Sequence, residues 1–202
     1  MTPLFLVVEG LDGSGGTTQA ARLAAWLRSQ GRPVVETAEP SGGPIGRFIR
    51  NTLGDPAREV SDAALSWLFA ADRHDHLAGV VQPALDAGSD VVSDRYLLSS
   101  LAYQGATVGL TRVAELNAGF RAPDLTLFLE LDPEVSLARV TARGAPRERF
   151  EALDALRAVR LAYDAALELV LGRGERVARI DASGTPDQVA DAVIAAVTAV
   201  RP

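Results

Sequence analysis

Apolar positions recur along the chain in two rhythms. Short apolar or β-branched runs occupy residues 4–8, 33–37, 91–92, 125–131 and 177–180. Each is bounded by turn formers or charged residues, and the third ends in Ser93-Asp94-Arg95. Runs that are apolar on both sides predict strands buried on both faces of a parallel sheet. Between them the spacing changes to three and four. Residues 17–30 carry Ala21, Leu23, Ala24 and Leu27, and Gly31 follows as a helix stop. Leu153, Leu156, Tyr163, Leu167 and Val170 form one stripe; Val189, Val193, Val197 and Val200 form another, behind the capping residues Ser183 and Thr185. Alternation of strand and helix implies right-handed βαβ units and a doubly wound α/β fold: a five-stranded parallel sheet flanked by helices. No repeat, low-complexity tract or linker interrupts it, so one domain is expected over residues 1–202. The polar, Gly- and Pro-containing stretch at about 143–150 is the expected lid.

Composition narrows the function. A chain of 202 residues can bury one proper core. A net charge of -6 argues against general attraction to nucleic acid, although a local basic site for a small anion remains open. Without cysteine there are no disulfides and no thiolate metal sites. The apolar start lacks a basic leader and soon meets Glu9, so it reads as a first strand, not a signal peptide. No apolar run is long enough to cross a bilayer, and a cytoplasmic enzyme without a membrane partner is expected. All 20 cationic side chains are arginines; the chain has no lysine.

That absence matters at residues 10–18, Gly-Leu-Asp-Gly-Ser-Gly-Gly-Thr-Thr, which follow a strand and open a helix. This is the setting of a phosphate-binding loop. Gly10, Gly13, Gly15 and Gly16 let the backbone turn its amides inward, and the helix N-terminus adds positive potential. Ser14 belongs to the same cradle, Thr17 is placed to put its hydroxyl on Mg²⁺, and Thr18 to reach a phosphate oxygen. The usual motif has lysine where this chain has Gly16. Losing that charge costs a few kcal/mol by analogy with loss of one stabilising donor. Taken alone, the stretch reads equally as a Gly-rich turn without a ligand. Ser93-Asp94-Arg95-Tyr96 ends the third strand, where open α/β sheets bind ligands. Asp94 there can hold a metal-bound water, and Arg95 can grip a phosphate bidentately; a surface Asp-Arg pair is the competing reading.

Several blocks together are more specific than any one. They are Glu9-Gly10-Leu11-Asp12-Gly13; Glu39-Pro40 with Gly42-Gly43-Pro44-Ile45-Gly46; Phe69-Ala70-Ala71-Asp72-Arg73; and Asp94-Arg95-Tyr96 with Ser99-Ser100-Leu101-Ala102-Tyr103-Gln104-Gly105. Pro123-Asp124-Leu125-Thr126, Val159-Arg160 with Tyr163, and Ile180-Asp181-Ala182 follow. In order and spacing this resembles the thymidylate kinases, P-loop nucleoside monophosphate kinases that pass the γ-phosphoryl group of ATP to dTMP. The resemblance implies Phe69 stacked on thymine, Arg73 on the base edge, and Asp12 near the sugar and the metal. It implies Arg95 and Arg50 around the dTMP phosphate, and Tyr103 with Gln104 along sugar and base. Ser100 falls beside the base, and Glu39 orders the facing loop. Thr17 and Asp94 would hold Mg²⁺, and the protein would be a homodimer.

Two positions depart from the family pattern, Gly16 and Ala38, each lacking a cation near the reacting phosphates. Arg143, Arg147 and Arg149 in the lid segment are expected to supply the missing charge, Arg149 foremost by family spacing. The departures keep two other readings open: a nucleotide-binding homologue with weak or no catalysis, and a kinase of another deoxynucleoside monophosphate. As isolated residues, Phe69 reads as core and Arg73 as a solvent-facing arginine. His74 and His76 stand two apart on a helix and are not expected to pair on a metal. Trp26 and Trp67 read as packing, and the charged run 173–179 as a turn and strand edge.

Overall fold

The five apolar runs become β1 (Phe5–Gly10), β2 (Val34–Ala38), β3 (Asp90–Asp94), β4 (Leu125–Glu130) and β5 (Val177–Asp181). These come from a computed structural model that describes residues 2–55, 60–142 and 153–201. The strands form one parallel sheet in the order β2-β3-β1-β4-β5. β1 is buried at all six positions because it is the middle strand and both its faces are covered. Successive side chains alternate between those faces. Phe5 and Val7 join one apolar cluster with Val91, Phe128, Tyr163 and Leu167. Leu6 and Val8 join the other with Leu23, Leu27, Val92, Leu127 and Val193.

The helices in chain order are α1 (Gly16–Ser29), α2 (Pro44–Leu53), α3 (Asp62–His76), α4 (Gln82–Asp86), α5 (Leu97–Tyr103), α6 (Gly105–Val108), α7 (Leu110–Leu116), α8 (Pro133–Ala142), α9 (Leu153–Gly172) and α10 (Pro186–Val200). The stop at Gly31 has φ +76, a left-handed turn that suits glycine. Thr185 caps α10 in a reciprocal capping box with Gln188. A π-helical turn, Leu77–Val81, joins α3 to α4, a continuity that periodicity did not signal. From β1 the chain winds outward to β2 and β3, then returns past β1 to β4. That reversal opens a crevice beyond the carboxyl ends of β1 and β3. Gly10 and Asp94 terminate those two strands.

Candidate active site

The loop leaving β1 is shaped by glycines with positive φ: Gly10 at +153, Gly13 at +89 and Gly15 at +97. Two of these also sit where a side chain has no room. A Cβ on Gly10 would lie 2.8 Å from the Leu129 carbonyl oxygen, and one on Gly13 would lie 2.6 Å from that of Ser136. The loop is thus pressed against β4 on one side and α8 on the other, where the Ser136 hydroxyl also donates to the Asp12 carbonyl. Gly15 caps α1 with no side-chain hydrogen bond, which leaves first-turn amides for a ligand. Residues 10–18, Asp94 and Arg95 line a cavity of about 220 Å³. At Gly16 a Cβ would meet only Asp94 Oδ1, at 3.0 Å.

Thr17 Oγ1 donates to Asp94 Oδ2 at 2.5 Å. A hydroxyl and a carboxylate therefore stand together at the cavity edge, the oxygen-donor chemistry that Mg²⁺ takes when phosphates and waters complete its shell. Among the described residues no cluster of three or more His, Cys, Asp or Glu could hold a metal alone. The donor set fits a metal carried in with a polyphosphate.

Beside this cavity lies a second, of about 110 Å³. Every acceptor residue expected from sequence lines it except Arg50. Phe69 and Gln104 stand in its wall with Ser100 and Tyr103. Arg73 is fully buried and held on several sides. Its Nε and one terminal nitrogen reach Glu39 Oε2 at 2.9 and 2.7 Å. It also donates to Ser100 Oγ at 3.0 Å and to Asn117, and its guanidinium lies 4.8 Å from the Tyr96 ring centre. The solvent-facing reading of Arg73 is therefore corrected: α3 turns this position inward, and the carboxylate of Glu39 makes burial tolerable. Arg50 is exposed and donates to the Ser41 carbonyl at 2.8 Å, bracing the loop before α2 instead of lining the cavity.

Asp12 and Arg95 line both cavities. Arg95 is the non-glycine residue with a positive φ, +70, among the described residues. Such a conformation is costly and concentrates at functional sites. It is pinned by its amide to the Val8 carbonyl and by its guanidinium to Asp12, Ser99 and Tyr163. The Tyr103 hydroxyl donates to Asp12 Oδ2 at 2.9 Å, and burial pushes that hydroxyl well above its ordinary pKa. A cation and a carboxylate thus stand locked together where the two cavities meet.

A thymidylate kinase family model matches residues 8–193. The chain belongs to the thymidylate kinase family. It is 42% identical over 201 residues to a thymidylate kinase of Jannaschia sp., covering 96% of this chain and 95% of that one. It is 41% identical to a thymidylate kinase of Solidesulfovibrio magneticus (94% and 96% covered) and 39% to one of Deinococcus radiodurans (96% of each).

Several residues that support these cavities were given no role by sequence reasoning, although Glu9, Asp72 and Tyr163 stand in the blocks that carry the resemblance. Glu9 is buried and accepts from the Tyr96 and Ser99 amides and the Ser99 hydroxyl, so a strand residue caps the start of α5. Burial pushes its carboxyl above the ordinary range, against the lowering pull of Ser99 and Arg95. Tyr163 reaches the Gly10 carbonyl at 3.0 Å from α9. Asp72 takes the amide and hydroxyl of Ser41, each at 2.6 Å. Asn117 had no motif to mark it. His76 had one usable signal, since it stands three residues after Arg73 and so shares its helix face. His74 packs edge-on to Phe120 instead, 6.2 Å between ring centres. Trp67, expected to pack, is exposed under the Arg112 guanidinium, 5.4 Å from its ring centre. On the far side of the phosphate loop, Arg139, Gly184 and Gln19 border a further cavity of about 220 Å³. Arg143, Arg147 and Arg149 lie outside the described residues.

Proposed function

We propose that this protein transfers the γ-phosphoryl group of ATP to dTMP, giving dTDP and ADP for dTTP synthesis. The observation that carries the proposal is the Asp12–Arg95 pair standing in the shared wall of a phosphate-loop cavity and an apolar acceptor cavity. Phosphoryl transfer needs little covalent chemistry from the protein; it needs two nucleotides in line and compensation for charge on the moving group. The amides of residues 10–18 hold the triphosphate, and the cavity beside Arg139 suits the base that such a triphosphate carries. Phe69 stacks on thymine, Arg73 addresses the keto edge of the ring, and Tyr103 closes the sugar side, favouring deoxynucleotides. The acceptor phosphate displaces Asp12 from Arg95, which then faces both phosphates at once. Mg²⁺ held by Thr17 and Asp94 would neutralise part of the polyphosphate charge.

Phe48 on α2 and Trp67 on α3 expose large apolar surface, which supports the expected homodimer through these helices. Among the described residues no helix is long and apolar enough to cross a membrane. We place the protein in the cytoplasm, as one domain spanning residues 1–202. Gly16, in a cavity without lysine, favours a second reading: a nucleotide-binding homologue with weak catalysis. Coupled ADP release with Mg-ATP and a panel of monophosphates separates the readings. Turnover that depends on dTMP, and is much slower with dCMP, supports the first; saturable nucleotide binding without turnover supports the second.

A further inference from the structure

His76 belongs to no block that pointed to the site and lines neither cavity, yet it is buried against the acceptor machinery. Its Nδ1 lies 3.0 Å from Glu39 Oε1, and its Nε2 lies 2.6 Å from Thr37 Oγ1. A carboxylate oxygen can only accept, so Nδ1 carries the hydrogen that faces Glu39. The other oxygen of Glu39 takes two donors from Arg73. The Glu39 amide donates to the Asp94 carbonyl at 3.0 Å, so the backbone of this residue is tied to the end of β3. What remains free to turn is the carboxyl group, about its last side-chain torsion. His76 is the group outside Arg73 itself that holds it, through Oε1.

We propose that His76 is a positioning residue for base selection. It clamps Glu39, and Glu39 in turn sets the guanidinium plane of Arg73 in the acceptor cavity. The proposal rests on the dTMP-binding reading above. A fixed plane matters because a guanidinium presents donors in a rigid fork and no acceptor. It discriminates a keto oxygen from an amino group only while that fork is aimed. Ser100 shares with Glu39 the same terminal nitrogen of Arg73 and Asn117 takes the other, but both contacts are single hydrogen bonds. The Glu39 contact is the paired one, and it alone is controlled from the adjacent helical turn. Thr37 carries the chain of contacts back to β2, so the clamp ties α3 to the sheet edge.

The test is dTMP and dCMP affinity by isothermal titration calorimetry, with steady-state KM for ATP, on the full-length protein and three variants. His76→Ala is expected to weaken dTMP about tenfold while dCMP affinity and ATP KM stay within twofold, so that dTMP preference falls about tenfold. His76→Asn, whose amide nitrogen replaces Nδ1, is expected to restore wild-type selectivity. His76→Gln places its amide nearer the Nε2 position, leaves Glu39 without its donor, and should resemble His76→Ala. If the alanine variant does not fold, the Asn and Gln pair carries the comparison. Equal dTMP affinity in Asn and Gln variants would overturn the proposal, as would losses shared equally by dTMP, dCMP and ATP, which mark a merely structural histidine. A wild-type protein that binds ATP but no dTMP would overturn the functional reading itself, and the inference with it.

Discussion

Gly16→Lys asks whether the missing ammonium limits this protein. The backbone permits the change. Gly16 is the first residue of α1, lies outside the left-handed region, and a Cβ there meets only Asp94 Oδ1 at 3.0 Å. That carboxylate must give way by a few tenths of an ångström, and it is the tip of a side chain rather than backbone. Replacing glycine in a helix also favours folding by about 0.5–1 kcal/mol. The ammonium gains the phosphates of the bound triphosphate, where one lost donor typically costs about 2.7–4 kcal/mol. Asp94 will hold part of that charge, so a gain of about 1.4–2.8 kcal/mol is expected, a rise in kcat of roughly ten- to a hundredfold. Gly16→Met supplies similar length without charge and should give no rise. Coupled ADP release at saturating dTMP, with thermal melts to confirm folding, measures both. A Gly16→Lys turnover no higher than that of Gly16→Met would refute the reasoning, because it would mean that amides and arginines already supply all the charge the reaction uses.

Arg95→Lys keeps the charge but loses the fork that reaches Asp12, Ser99 and Tyr163, so kcat should fall about 10²- to 10³-fold with little change in melting temperature; near-normal kcat would remove Arg95 from the reaction. Gly13→Ala combines a φ of +89 with a Cβ 2.6 Å from the Ser136 carbonyl oxygen, whereas Gly15→Ala meets only backbone strain. Urea unfolding should therefore show a loss of about 2–4 kcal/mol for the first and about 1 kcal/mol for the second, and the reverse order would contradict the packing of the loop on α8. Glu130 accepts from Arg179 at 2.6 Å and Arg160 at 3.2 Å, and Arg179 first, then Arg160, hold its carboxyl below the ordinary value of 4.5 despite partial burial. A lowered carboxylate stabilises the fold above its unfolded pKa and loses that contribution as pH falls through its folded value. The stability gap between wild type and Glu130→Gln, about 0.5–1 kcal/mol near neutrality, should close as the pH drops below about 4.5; a gap unchanged down to pH 3 would sink the prediction.

The inner strands β1 and β4 were legible because burial on both faces writes a continuous apolar run into five or six residues, whereas the edge strands β2 and β5 are only partly buried and left shorter, mixed runs. The Gly-rich turn after β1 was legible for a similar reason, since its glycines and following helix are local, but its ligand was not written there. The strand end that carries Asp94 and Arg95 was readable too, but only the resemblance raised the pair above a surface ion pair. Long-range pairings were not, even where the resemblance had already marked the residue, as for Glu39 and Arg73. Glu39 meets Arg73 and His76, which lie 34 and 37 residues away, and Asn117 reaches Arg73 across 44. Each left one polar letter in the sequence, with no period to mark it. Asp90 shows the same limit: buried at the start of β3, it gathers Arg32, Arg201 and the Leu4 amide, and nothing in its neighbourhood announces that role. Arg50 shows the converse, a position that the resemblance put near the acceptor phosphate and whose side chain turns to the Ser41 carbonyl. The π-helical turn at Leu77–Val81 adds a residue to the helical repeat without changing composition, so periodicity passed over it.

The most direct measurement follows the fate of the terminal phosphate. Radiolabelled γ-phosphate ATP, Mg²⁺ and dTMP are incubated with the protein, and the products are separated. Label appearing in dTDP in step with ADP formation, and falling sharply when dTMP is omitted, is the predicted result. ADP formed with the label released only as inorganic phosphate, or no ADP at all with both nucleotides bound, would contradict transfer between the two cavities.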